Sequence, residues 1–200
     1  MKNYFKKSGS AKLGAKTQRL CLLIAMVGFI SINSVSAQND DVKKGFIGIS
    51  LGAAIPMGSF IADNCNTGGQ FNIDFGYLFA KNIGMHAQLF GTMFYSKYQT
   101  DNSIGLAGLQ VGPLFSTSST GVLEFDFKPS IGFARGSLFE GYSESSRSEI
   151  TFSFGATASI RWNCWRNFSL SSSVMYIYGK PEGIDLSSIG IMIGANYRLR

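Results

Sequence analysis

From Gln70 to Phe79 apolar and polar residues alternate strictly: Phe71, Ile73, Phe75, Tyr77 and Phe79 fall on one face, and Gln70, Asn72, Asp74 and Gly76 on the other. A period of two is that of a β-strand, whose successive side chains point to opposite faces. The signature returns further along the chain. Ile150, Phe152, Phe154, Ala156, Ala158 and Ile160 alternate with Thr151, Ser153, Gly155, Thr157, Ser159 and Arg161. Near the end, Ile189, Ile191, Ile193, Ala195, Tyr197 and Leu199 alternate with Gly190, Met192, Gly194, Asn196 and Arg198. Between Leu123 and Phe133, Phe125, Phe127, Pro129 and Ile131 oppose Glu124, Asp126, Lys128, Ser130 and Gly132.

Weaker alternation over Gly45–Ile55, Ile83–Tyr95, Ser103–Phe115 and Phe168–Tyr178 brings the expected count to eight strands. Strands of roughly 10 to 13 residues match a tilted crossing of a bilayer and exceed the usual globular length of about five or six. The connections are expected to alternate in size. Lys81-Asn82, Ser116–Thr120 and Trp162–Asn167 read as short turns; Pro56–Gly68 and Gly136–Ser148 read as long loops, with Ser96–Asn102 and Gly179–Leu186 between. Short turns on one side and longer loops on the other are a habit of transmembrane barrels, which would put both termini on the turn side, in the periplasm.

The direction of the apolar face decides between a soluble and a membrane barrel. That face carries nearly all the strand Phe, Tyr, Ile and Leu, and an eight-stranded interior only just holds its own side chains. The opposite face is mostly Gly, Ser, Thr and Asn. Turning the aromatics to lipid and the small polar residues to the lumen removes the crowding, and closure pairs every backbone group. The expected fold is an all-β, eight-stranded antiparallel up-and-down transmembrane β-barrel. Tyr77, Phe79, Tyr95, Trp162, Trp165, Tyr176, Tyr178 and Tyr197, near turns and strand ends, fit aromatic girdles at its two rims.

Charge changes this picture only at the N-terminus. Of the 18 Lys+Arg, six (Lys2, Lys6, Lys7, Lys12, Lys16 and Arg19) precede an apolar run from Leu20 to Ile32, leaving 12 Lys+Arg against 12 Asp+Glu. A basic stretch, a short apolar run and the small-residue end Val35-Ser36-Ala37 make a secretory signal peptide over residues 1–37, cut after Ala37. The run is shorter than the roughly 20 residues a membrane helix needs. Cys21 lies too early to be a lipidation site. Residues 38–44 are then a short periplasmic segment, and 45–200 the barrel domain. The remaining basic residues are scattered and offer no nucleic-acid footprint.

Three features carry the resemblance to known proteins: the opening strand Gly45-Phe46-Ile47-Gly48-Ile49-Ser50-Leu51-Gly52, Val111-Gly112-Pro113, and the closing Gly194-Ala195-Asn196-Tyr197-Arg198-Leu199-Arg200. With these the chain resembles, over Gly45 to Arg200, the small eight-stranded outer-membrane barrels of the OmpA transmembrane-domain and OmpX type. The resemblance implies a Gram-negative outer membrane, with lipid, lipopolysaccharide, periplasmic chaperones and the barrel-insertion machinery as partners, an extracellular protein as a further one, and no cofactor. The chain departs from many such barrels in ending on Arg200 instead of an aromatic residue; Tyr197 and Leu199 stand in its place.

The parity of the strands points Asp74, Glu124, Asp126, Lys128, Arg161 and Arg198 into the lumen, with Glu124 near Arg161 at the periplasmic end. Charges in a narrow interior must pair, so these six are expected to form an ion-pair network that plugs the barrel. A small gated solute channel is the alternative. His86, the one His of the chain, is the candidate acid or base for an enzyme acting on outer-leaflet lipid. Its place near the Lys81-Asn82 turn favours a buried, hydrogen-bonded role, and no catalysis is expected. One His and isolated Cys cannot assemble a metal site, and Gly45–Gly52 lacks the helix and Lys-Ser/Thr ending of a phosphate loop. Cys65, in the first long loop, and Cys164, in a periplasmic turn, are expected at opposite ends, too far apart to bond. The expected role is structural or surface-interacting, through loops such as Phe139–Glu144 and Pro56–Gly68.

Overall fold

The computed structural model describes residues 45–98, 102–117, 122–140, 147–165 and 167–199. The expected signal peptide and the segment 38–44 lie outside the described residues. The chain forms β1 (Gly45–Pro56), a short helix α1 (Ser59–Asn64), β2 (Gly68–Leu78), β3 (Ile83–Tyr95), β4 (Asn102–Ser116), β5 (Leu123–Glu140), β6 (Arg147–Trp162), β7 (Phe168–Gly179) and β8 (Leu186–Leu199). Each strand pairs antiparallel with its sequence neighbour, and β1 pairs with β8 to close the barrel. Closure leaves no edge strand, so every strand of the wall has a hydrogen-bonded neighbour on both sides.

The two-residue period is realised as two faces. Ile47, Ile49 and Leu51 of β1, Phe71, Ile73, Phe75 and Tyr77 of β2, and Phe125, Phe127 and Ile131 of β5 point outward and are exposed. Gln70, Asn72, Asp74, Glu124, Asp126 and Lys128 on the intervening positions are buried. A glycine makes room where a large side chain turns inward: the Phe46 ring lies over Gly76, where a Cβ would come 2.3 Å from ring atom Cε1.

Three expectations are corrected. The Gly136–Ser148 loop is largely strand: β5 and β6 stay paired from Leu123↔Trp162 to Leu138↔Arg147, leaving residues 141–146 outside the described structure. Antiparallel pairing requires only backbone geometry, so it continues past the point where the apolar alternation fades. Of the candidate loop Phe139–Glu144, Phe139 and Glu140 close β5 and the rest lies outside the described residues. The connections consequently differ less in size than expected, with only Met57–Thr67 distinctly long. Within it, α1 tucks Ile61 against the barrel mouth, and Cys65, in this first long connection as expected, is buried beside it with a backbone bridge to Ser96.

The third correction concerns the lumen, which is not small and polar throughout. At the end where β1 joins β2, it is filled by Phe90, Phe94, Leu106, Met175, Ile177 and Met192 together with Ile61 and Cys65. Interior positions there lie beneath α1, out of reach of water, so apolar side chains fill them without leaving donors unmet. Phe46, Leu78 and Leu114 form a second small apolar cluster at the opposite end.

Candidate functional site

The six charged residues expected in the lumen are all buried, and two groups form among them. In the first, at the turn end of β5, β6 and β8, Arg161 reaches Asp126 with two nitrogens, Nε at 2.6 Å from Oδ2 and Nη2 at 2.9 Å from Oδ1. The same guanidinium lies 3.0 Å from Glu124 Oε2. Glu124 also receives Arg198, and Asn163 donates to its Oε1 at 2.9 Å. Ser159 hydroxyl to Asp126 Oδ2, at 3.4 Å, completes the set. Direct cross-strand register between Glu124 and Arg161 makes the first contact; barrel closure brings Arg198 round to meet it.

The second group centres on Asp74 of β2. Lys128 of β5 pairs with its Oδ2, and His86 Nδ1 of β3 stands 3.7 Å from its Oδ1. Lys128 and Asp74 come from non-adjacent strands, joined only through the interior. Phe46 lies between the groups: Arg161 Cζ is 4.2 Å and Lys128 Nζ 5.6 Å from the centre of its ring, both within cation–π range. Three carboxylates, Asp74, Glu124 and Asp126, face three cationic side chains, Lys128, Arg161 and Arg198, so the charge of these six balances. Low dielectric makes each pair strong and each unpaired member costly.

Above the charged zone is a neutral polar one. Gln88 Nε2 donates to Gln110 Oε1 at 2.8 Å and to Ser130 Oγ at 3.1 Å; Gln110 Nε2 donates to Ser153 Oγ at 3.1 Å. From turn end to loop end the lumen therefore passes from ions, through amides and hydroxyls, to hydrocarbon. The cavity lined by Asn72, Asp74, Lys128, Thr157, Arg161 and Asn196 has space for about one water molecule. Among the described residues no three His, Cys, Asp or Glu converge as metal ligands.

Sequence parity placed the six charged groups and His86 inside. It did not find Asn163, which lies beyond β6, or Phe46, whose inward direction was readable only from its shared face with Gly48 and Ser50. Nor did it find the Gln88–Gln110–Ser130–Ser153 chain, since which interior residues meet depends on barrel stagger. Cys65 and Cys164 are both free, Cys65 buried and Cys164 partly so. Burial pushes the Cys65 thiol pKa up, with nearby Lys97 opposing more weakly.

The fold and its packed interior define a small, closed, eight-stranded antiparallel barrel of the outer-membrane type. Solved structures share this architecture. Neisserial surface protein A superposes with a TM-score of 0.63 at 15% identity, over 78% of this chain and 97% of that one. Ail, the attachment invasion locus protein of Yersinia pestis, gives 0.52 at 21% identity, over 78% and 99% of the two chains. The outer membrane protein OprG of Pseudomonas aeruginosa gives 0.51 at 11% identity, over 80% and 100%. No protein-family model matches the chain, and no curated protein does.

Proposed function

We propose that this chain is an exported outer-membrane protein whose closed barrel is a scaffold for surface contacts, without catalysis and without an open pore. The observation that carries the reading is the outer face. Large apolar side chains from all eight strands stand exposed, among them Ile49, Phe75, Leu89, Leu109, Phe127, Phe152, Val174 and Ile193. A monomer in water rarely leaves so extensive an apolar surface uncovered, whereas lipid covers it. Exposed Phe79, Trp162, Trp165, Phe168 and Tyr197 gather at the turn end, and exposed Tyr95 lies at the loop end with the Phe154–Tyr178 stack, as interfacial aromatics would.

The interior supports the rest. Hydrocarbon fills it at the loop end and paired ions at the turn end, which favours a plug over a conducting path. His86 is buried, with Nε2 3.3 Å from a backbone carbonyl oxygen and Nδ1 3.7 Å from Asp74, which supports a structural role for it over catalysis on lipid. The signal peptide over 1–37, the periplasmic termini and partners among lipopolysaccharide, periplasmic chaperones, insertion machinery and an extracellular protein belong to the same reading. In that reading, specificity resides in the loops Phe139–Glu144 and Pro56–Gly68.

The test combines two measurements on membrane-extracted protein. Heat-modifiable migration on gels and an absence of stable channels in planar bilayers are expected. Stable open channels whose size changes in Glu124→Ala and Arg161→Ala would overturn the plug, and lipid-modifying activity lost in His86→Ala would restore the enzyme reading.

A further inference from the structure

The β4–β5 ladder is interrupted once. Val111 pairs with Ile131 and Phe115 with Phe127, but the three positions between them on each strand form no ladder pair. The register is the same on both sides of the gap, so no residue is inserted, and Pro113 stands directly opposite Pro129. The ladders on either side continue through these residues, Met85 pairing with Pro113 and Pro129 with Ala156. The missing hydrogen bonds are therefore the two that Pro113 and Pro129 would have exchanged. Proline has no N–H, so two opposed prolines remove both bonds of a closely paired couple and leave both carbonyls facing a strand without a donor. Within a bilayer such a carbonyl cannot turn to water.

His86 meets one of them. It lies on β3 opposite Gly112 of β4, and its Nε2 reaches across to within 3.3 Å of the Pro129 carbonyl oxygen on β5. The route crosses Gly112, where a Cβ would stand 2.0 Å from that same oxygen. Any larger residue at 112 would displace the carbonyl that the imidazole approaches. A carbonyl only accepts, so this contact is a hydrogen bond when Nε2 carries the proton.

We propose that His86 is a positioning residue that supplies, from inside the lumen, the donor missing at the Pro113–Pro129 pair, and that β4–β5 is the seam at which this barrel wall opens first. The chain's lone imidazole then acts as a replacement rung spanning three strands. The inference rests on the outer-membrane reading of the barrel and is independent of what the loops bind.

Amide hydrogen exchange on the mature barrel in micelles tests it. His86→Ala is expected to raise exchange at Val111, Phe115, Phe127 and Ile131 about tenfold, the effect of losing one hydrogen bond, and to leave the β1–β2 amides unchanged. Adding Pro113→Val, which returns an N–H to the Pro129 carbonyl, is expected to restore protection. If His86→Ala does not fold, refolding of the His86→Ala/Pro113→Val barrel becomes the readout. Exchange at β4–β5 that does not respond to His86→Ala, a rise spread evenly over all strands, or a double variant that recovers neither protection nor folding would overturn the proposal. So would imidazole nitrogen spectra of the wild-type protein showing the neutral ring protonated at Nδ1.

Discussion

Arg161 pairs with Asp126, Nη2 donating to Oδ1 at 2.9 Å and Nε lying 2.6 Å from Oδ2, inside a barrel whose outer surface is hydrocarbon. The pair lies on neighbouring strands but two residues out of direct register, since Asp126 faces Ser159 and Arg161 faces Glu124. One guanidinium thereby serves two carboxylates. Such an arrangement is stable only while every member is present, because a buried charge left without its partner is costly.

Removing Lys128 strands Asp74 in the interior with His86 as its remaining charged-capable neighbour. Lys128→Met is expected to destabilise the barrel by about 3–5 kcal/mol, the cost of breaking a buried pair from one side. Asp74→Asn combined with Lys128→Met should cost less than Lys128→Met alone, because no uncompensated charge is left. Urea unfolding in vesicles, followed by tryptophan fluorescence, measures both.

Leu51 is 60% exposed in the middle of β1. Facing lipid, Leu51→Arg is expected to cost about 2–4 kcal/mol, as for a cation near the bilayer midplane. Facing water, the same change would stay within about 0.5 kcal/mol. Unfolding from large unilamellar vesicles separates the two.

Phe90 is buried in the apolar zone at the loop end of the lumen. Phe90→Ala is expected to cost about 3–5 kcal/mol through lost burial and the cavity left behind. An equally large loss of compact gel mobility before heating would accompany it, whereas a water-filled upper lumen would accept the change with little effect.

Cys65 bears on pH. Burial raises its thiol pKa above the ordinary 9.0, so less thiolate forms at a given pH and alkylation by iodoacetamide at about pH 8 should be slow until the barrel unfolds. The linkage has a definite sign. A raised folded-state pKa leaves this contribution to stability intact below pH 9.0 and removes it as pH rises past that value. Mass spectrometry of the alkylated protein before and after denaturation, and unfolding midpoints on either side of pH 9.0, check the two statements.

The strand count, the order of strands and the division into outward-facing and lumen-facing residues were legible in the sequence, because a period of two along a strand assigns each side chain to a face without reference to any other strand. Asp74, Glu124, Asp126, Lys128, Arg161 and Arg198 were assigned to the interior by that parity alone. Their partners beyond adjacent strands were not. Lys128 meets Asp74, and Arg198 meets Glu124, across a lumen whose stagger is set only when β1 pairs with β8. The apolar filling of the loop end, the inward tuck of Ile61 and Cys65, and the extension of β5 and β6 past Gly136 escaped for a related reason. Each depends on which backbone or cavity a residue meets in three dimensions, and a short polar or irregular segment carries no periodic trace of that encounter. Local alternation determines the faces of the wall; closure decides which side chains touch inside it.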